Sequence, residues 1–342
     1  MSGCEVGQVA SVACVLHAPW PEAGPWTDIF ASDAPRCVDC LRAASLYYAG
    51  LRVLGLPAVT RRFRNAAVVL CYHNVVSEEM AVIVGTGLHI TQARFRDQMR
   101  WLAAHYTVIP VRELVTRMRA GRPLRRMAAI SFDDAYRGVF DYARPILEEF
   151  GFPATVFVVT NAPTQGEPFW WDLPEAVREA GGQSSRRWLG DLRGDGRLIL
   201  QDLGVTAPSS VPPVTRPASW DMIRTAARDG LDLGVHSATH RALPRLSDDE
   251  LRAEMVDSRE TLAHHTGVTA EVFAYPYGLW DQRVRNAAQA AGYTTALSLN
   301  PRLVAPDADP WALPRVNIPA RITSSAFQAW ITGWSPHQVP LG

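Results

Sequence analysis

Short apolar runs alternate with amphipathic stretches along most of the chain, and several runs end on residues that can do chemistry. Ala66–Tyr72 leads to His73, Met127–Phe132 to Asp133 and Asp134, Leu231–Val235 to His236, and Val272–Ala274 to Tyr275-Pro276-Tyr277-Gly278. Runs of this length and make-up predict buried strands. Further strands are expected at Tyr106–Val111, Ala154–Val159 and Thr294–Leu299, with an edge segment at Leu313–Pro319. Between them lie helical periods with recognisable starts and stops. Thr91 is an N-cap, Ser219 another, and Ser247 with Glu250 makes a capping box. Gly121-Arg122-Pro123, Gly151-Phe152-Pro153 and Gly292 end helices, one of which is expected over Tyr136–Phe150. Ser77–Leu88 reads as a loop and Ser324–Trp334 as a closing helix. Strand and helix in alternation predict an α/β fold built on a parallel sheet or barrel.

Two regions break the alternation. Residues 162–218 contain Phe169-Trp170-Trp171-Asp172, a short helical stretch and a run rich in Gly, Arg, Ser and Pro. This reads as a partly mobile insertion near the catalytic rim, its aromatics (Trp171 among them) offering a surface on which a sugar could stack. Residues 1–65 read as a leader, poorly ordered in part, with an amphipathic helix at Leu46–Val59 that ends in Arg61-Arg62-Phe63-Arg64. That helix is too short to span a bilayer. It either lies on a membrane surface, giving peripheral contact through residues 46–64, or packs across the bottom of its own domain, which is the default. The domain proper is expected over 66–322, with residues 323–342 a closing helix and tail.

Composition narrows the possibilities. All 34 basic side chains are arginine and the formal charge is zero. A Schiff-base lysine, a phosphate-loop lysine and a Ser-Lys dyad are therefore excluded, and no basic block suggests nucleic acid. Of the five cysteines only Cys37 and Cys40 have metal-like spacing, too little for a zinc knuckle or a disulfide framework. No basic start precedes a long apolar core, so the expected location is the cytoplasm or the periphery of the membrane, with export left open. No Walker loop and no Gly-x-Gly-x-x-Gly is found.

The candidate chemistry is a metal site. His236 and His240, three residues apart, can reach one ion, and a carboxylate would complete a facial set with open positions. The adjacent aspartates cannot share one task. Asp134 would bind the ion while Asp133 stays free to take a proton, because a base locked on the metal has lost its basicity.

Ser-Phe-Asp-Asp, His-Ser-x-x-His and Phe-Ala-Tyr-Pro-Tyr-Gly, in that order, resemble the first three motifs of the polysaccharide deacetylases, the NodB-homology group or carbohydrate esterase family four. The resemblance runs from about residue 67 to residue 318. It implies an irregular (β/α) barrel of about seven strands and one divalent metal, zinc before cobalt, nickel or manganese. It makes Asp133 the general base and Asp134, His236 and His240 the metal ligands. Tyr277 would lend an oxyanion-holding N–H, with Pro276, Tyr136 and Trp171 beside the substrate. Three departures stand out. Ala135 follows the aspartates where the family has glycine. Ala274 replaces an arginine that braces the base, and Arg315 is the candidate substitute. The family's late histidine is missing, and Tyr72-His73-Asn74-Val75 is similar to the circularly permuted poly-N-acetylglucosamine deacetylase branch, making His73 the general acid. The resemblance implies removal of acetyl groups from an N-acetylated, or O-acetylated, glycan. Hydrolysis of small cyclic amides or formamides on the same fold is the second reading. A silent metal- and glycan-binding protein is the third.

Overall fold

The computed structural model describes residues 38–84, 87–180, 182–206 and 209–335. The expectations for residues 1–37, including Cys4, Cys14 and Cys37, and for residues 336–342 lie outside the described residues. Among the described residues the strands are β1 (Val68–Tyr72), β2 (Asn74–Val76), β3 (His89–Thr91), β4 (Thr107–Val108) and β5 (Met127–Phe132). They continue with β6 (Thr155–Val158), β7 (Asp232–Val235), β8 (Val272–Ala274), β9 (Thr295–Leu297) and β10 (Val316–Asn317). The main sheet runs β10-β1-β5-β6-β7-β8-β9, with the short β4 also on β5. Every pairing in it is parallel. A bridge between Leu297 and Leu313 carries the curl from β9 towards β10. The seven-strand path is the curled barrel that the alternation predicts, and β2 and β3 form a small parallel pair beside it.

Side chains alternate between two packed layers, as strand periodicity requires. Leu70, Ile130, Val156, Val235 and Phe273 face the helices, whereas Val69, Ala129, Phe157, Ala274 and Leu297 fill the inside of the curl. The inner residues are small where polar groups must fit. At Gly234 a Cβ would stand 2.4 Å from the Phe157 ring, so no other residue is accommodated there.

Several local expectations are corrected. The 77–88 stretch is not all loop, since Glu78–Val84 is helical. The helix expected over 136–150 contains a π-helical turn at Val139–Ala143 before the α-helix Arg144–Phe150. Pro145 has no N–H to donate, and Arg144 N–H reaches back five residues to Val139 O. The 162–218 insertion is folded into short helices at Ala162–Gln165, Pro174–Glu179, Gly182–Gly190 and Gly196–Asp202. Its aromatics explain why: Phe169, Trp170, Trp171 and Trp188 are all buried. Tyr136 also bridges to Pro217 at its end. The amphipathic segment becomes two helices, Val38–Val53 and Leu56–Phe63, parted at Gly55 with φ 71°. The first packs on Ser324–Trp330, burying Tyr48 and Leu51, but Leu46, Val53, Leu54, Val59 and Phe63 stay exposed. No described helix is long and apolar enough to cross a membrane.

Candidate metal centre and base

Parallel strands deliver their C-terminal ends to one rim, and the site is assembled there. Asp133 prolongs β5, its N–H bonded to Tyr72 O at 2.9 Å. The chain then turns sharply through Asp134 (φ 70°) and Ala135 (φ 53°). Two residues that would point apart on a strand are thereby brought to one side. The histidine loop is bent in the same way, with Ser237 at φ 67° and His240 at φ 60°, and Tyr277 stands at φ 59° after β8. Five of the seven non-glycine residues with positive φ among those described lie in these three loops. Backbone strain is concentrated where the functional side chains converge.

The loops are braced locally. Ser237 Oγ accepts the His240 N–H at 2.9 Å. Buried Glu254 accepts the N–H groups of Ala238 and Thr239, both at 2.9 Å, as well as the Thr239 hydroxyl and Arg241 Nε.

The two carboxylates have opposite surroundings. Arg315, fully buried, forks onto Asp133, Nη1 to Oδ1 at 2.6 Å and Nη2 to Oδ2 at 2.8 Å. Its Nε donates to Ser298 O at 3.0 Å and its Nη1 also to Ser131 Oγ at 3.3 Å. The Cys71 thiol lies 3.4 Å from Asp133 Oδ2. Burial works against the Asp133 charge, but the Arg315 guanidinium, His236 and the hydrogen bonds outweigh it and hold the carboxyl below its usual range. Asp134 has no such support. Burial and the nearby charges of Asp133 and Asp172 push its carboxyl well up, and Oδ1 finds no hydrogen-bond donor among the described residues.

His236 donates from Nδ1 to Ala274 O at 2.7 Å, which leaves the Nε2 lone pair facing the site. His240 Nε2 lies 3.2 Å from His236 Nε2 and 3.4 Å from Asp134 Oδ1, and the His236–Asp134 separation is 3.7 Å. Burial lowers the pKa of both rings, further lowered at His240 by His236. Neutral imidazoles and an unsupported carboxylate oxygen thus turn acceptors toward one point. Without a cation only a shared proton relieves that grouping, such as one on His240 Nε2 facing His236 Nε2, and with one it would be an N/N/O ligand set. The donor chemistry fits a divalent ion. Cys71, His73 and Asp133 also lie within reach of one another, but a cation there would face the Arg315 guanidinium.

The site opens into a cavity lined by His73, Trp171, Tyr277 and Leu299 as well as both aspartates and histidines. His73 is buried, and its pKa is lowered to about 4, first by burial, with Asp133 opposing and Arg315 reinforcing. At neutral pH its resting form is the neutral ring. Trp171 and Tyr277 pack on His240, with ring centroids at 4.6 and 4.4 Å. The structure thus brings together Asp133, Asp134, His73, His236, His240, Arg315, Tyr277 and Trp171. It does not bring Tyr136 or Pro276 to the cavity wall. Pro276 is buried at the start of the 3-10 turn Pro276–Gly278, where its fixed φ suits the first helical position. Tyr136 is fully buried behind Trp171, accepting its Nε1–H at 2.7 Å, and so has no face to offer a substrate.

Sequence reasoning missed Asn74, His89, Asp172 and Glu254. His89 opens β3 and sits 3.1 Å from Asp172. The only sequence signals for these residues were adjacency, Asn74 to His73 and Asp172 to Trp171.

Comparison with known proteins agrees with this arrangement. The polysaccharide deacetylase family matches residues 120–296. That stretch includes Asp133, Asp134, His236, His240 and Tyr277, whereas His73 and Arg315 lie on flanking segments that the fold returns to the site. A poly-β-1,6-N-acetyl-D-glucosamine N-deacetylase of Staphylococcus epidermidis is 22% identical over 79% of this chain and 84% of its own. A putative polysaccharide deacetylase of Bacillus subtilis is 21% identical over 77% of this chain and 75% of its own. Among solved structures, the Streptococcus pyogenes deacetylase PplD superposes with TM-score 0.57 at 16% identity, covering 75% of this chain and 93% of that one. IcaB from Ammonifex degensii does so with TM-score 0.54 at 18% identity, covering 79% and 98%. With its motifs in order on a curled parallel sheet and the family match spanning half its length, this chain belongs to the polysaccharide deacetylase family.

Proposed function

We propose that the chain removes N-linked acetyl groups from a poly-N-acetylglucosamine-type glycan, with a divalent ion on Asp134, His236 and His240. The observation that carries this reading is the division of labour between neighbouring carboxylates. One is forked by a buried arginine, and the other is left with acceptors only. A bound zinc or related ion would supply Lewis acidity to the acetyl carbonyl and to water.

Asp133, kept ionised by Arg315, takes a proton from the attacking water. The same arginine makes it a weak base, so the proton does not rest there. His73, with a pKa of about 4, is the stronger base, and its ring lies within 4.8 Å of Asp133, a gap one water can span. The proton then passes to the leaving nitrogen, which is more basic still. Tyr277 and Trp171 wall the cavity on the side of His240. Retention of the Asp133–Arg315 pair favours catalysis over silent binding, since a binder needs no free base beside its ion.

The test is deacetylation of β-1,6-linked N-acetylglucosamine oligomers, chito-oligosaccharides and a cyclic amide, each with and without chelator. Chelator-sensitive release of acetate from the first supports the reading. Turnover of the cyclic amide alone, or of nothing by a metal-loaded protein, overturns it.

The foot of the barrel supports a proposal on location. The exposed apolar side chains of the 38–63 helices stand among Arg52, Arg62 and Arg64, and residues 40–77 contain no acid. A surface of that kind suits an anionic lipid headgroup layer. Co-sedimentation with anionic but not neutral vesicles, lost on Leu54→Glu, is the expected outcome.

A further inference from the structure

Behind the cavity wall a polar chain crosses the core without touching any reacting atom. Trp171 Nε1–H donates to Tyr136 Oη at 2.7 Å, and Tyr136 O–H donates to Asp172 Oδ2 at 2.6 Å. On the other side His89 Nε2 lies 3.1 Å from Asp172 Oδ1, and His89 Nδ1 lies 3.1 Å from Asn74 Nδ2. Asn74 Nδ2 also donates to Val214 O at 3.0 Å, which fixes the direction of the rest. Asn74 gives a proton to His89 Nδ1, so His89 must carry its own proton on Nε2 and give it to Asp172. Every donor in the chain therefore points towards Asp172, and all five residues are buried.

The two histidine ligands need different supports. The His236 ring is fixed by its hydrogen bond to Ala274 O. His240 Nδ1 has no hydrogen-bond partner among the described residues, and its ring packs against the rings of Trp171 and Tyr277 instead. An imidazole held only by ring contacts points as well as those contacts are fixed. Trp171 is fixed by the polar chain.

We infer that Asp172, acting through Tyr136 and Trp171, is the positioning residue for His240 and does for that ligand what the Ala274 carbonyl does for His236. The inference rests on the metal reading given above. It also joins the His240 side of the site to the segment next to His73, because Asn74 is the far end of the chain. Asp172 cannot be replaced isosterically. Asparagine would set its NH2 against one of the two donors that converge there.

The test is zinc affinity by competition with a chromophoric chelator, alongside kcat and KM on a glycan oligomer. The variants are Tyr136→Phe, which cuts the chain, and Asp172→Asn, which frustrates it. Trp171→Phe keeps a ring beside His240 but loses the N–H, and serves should either of the others fold poorly. Each is expected to weaken zinc binding about tenfold or more, the usual effect of removing a ligand's support, with kcat falling more than KM rises. Zinc affinity within about twofold of the parent in folded variants, with only the melting temperature lowered, would mean a merely structural network and overturn the inference. A parent protein that itself binds no zinc would instead sink the metal reading, and this inference with it.

Discussion

Asp133 and Asp134 are bonded neighbours and equally buried, yet the chain treats their charges in opposite ways. Around Asp133 the inside of the curl supplies donors: a two-pronged guanidinium, a thiol and, through Arg315, links to Ser131 and Ser298. Around Asp134 the rim supplies acceptors, namely two imidazole nitrogens and the other carboxylates. One charge is completed by the protein and the other awaits something from outside. A buried charge is stable only when paired, so the base half should be a folding element and the metal half a folding liability until loaded.

The largest effect should come from breaking the completed half. Arg315→Met leaves Asp133 buried with the Cys71 thiol as its remaining side-chain donor. Losing one partner of such a pair costs about 3–5 kcal/mol, readable from urea denaturation. Arg315→Lys should recover less than half, because an ammonium cannot reproduce the fork. If Arg315→Met is as stable as the parent, Asp133 is not charged in the folded protein and the comparison collapses.

His73 sharpens the comparison through pH. The folded protein holds the ring neutral down to about pH 4, while the unfolded chain takes up a proton near pH 6.5. Unfolding therefore binds a proton between those values. The stability is fully present above about pH 6.5 and is lost as pH falls towards 4. The span corresponds to a loss on the order of 3 kcal/mol. His236 and His240 shift in the same direction and add to the slope. The parent minus His73→Gln difference in metal-free protein should thus be level above pH 6.5 and change steadily below it. A level difference down to pH 4 would place His73 in contact with solvent.

The open half should respond with the other sign. Asp134→Asn replaces a carboxyl whose ionised form burial, Asp133 and Asp172 all disfavour. Metal-free protein should be unchanged or stabilised by up to about 1 kcal/mol, while the rise in melting temperature on adding zinc disappears. For the parent, zinc must displace the Asp134 proton, so its stabilising effect should grow as pH rises above the ordinary carboxyl range. A marked fall in the stability of metal-free Asp134→Asn would show that this carboxylate is already satisfied.

Much of this was legible from the chain alone, for identifiable reasons. Strands whose apolar runs end on Asp-Asp and on His announce themselves, because sequence adjacency places those groups at a strand's end and parallel topology gathers the ends. Arg315 could be suspected, but its fork onto Asp133 depends on β10 pairing with β1, a contact that crosses the whole domain. Tyr136 was expected beside the substrate, but its place in the sequence says nothing of which way its side chain turns after a left-handed bend, and it lies buried behind Trp171. His89 and Asp172 were invisible as a pair. They stand 83 residues apart in the chain, and nothing local marks either as buried.

That left-handed bend yields the smallest effect. Ala135 occupies a conformation that costs an L-residue about 1–2 kcal/mol, in the turn that brings two adjacent carboxylates to one side. Glycine would relieve that cost, but it would also give up a buried methyl worth about 0.8 kcal/mol and free the unfolded chain by about 0.5–1 kcal/mol. These terms oppose, so Ala135→Gly should change stability by less than about 1 kcal/mol. At Ala129, buried inside the same strand and extended, glycine has no strain to relieve and the same two losses add to about 1.5 kcal/mol. Denaturation of the two variants side by side measures the strain directly. If Ala135→Gly costs as much as Ala129→Gly, the bend is not strained, and another cause must be sought for the common direction of the two carboxylates.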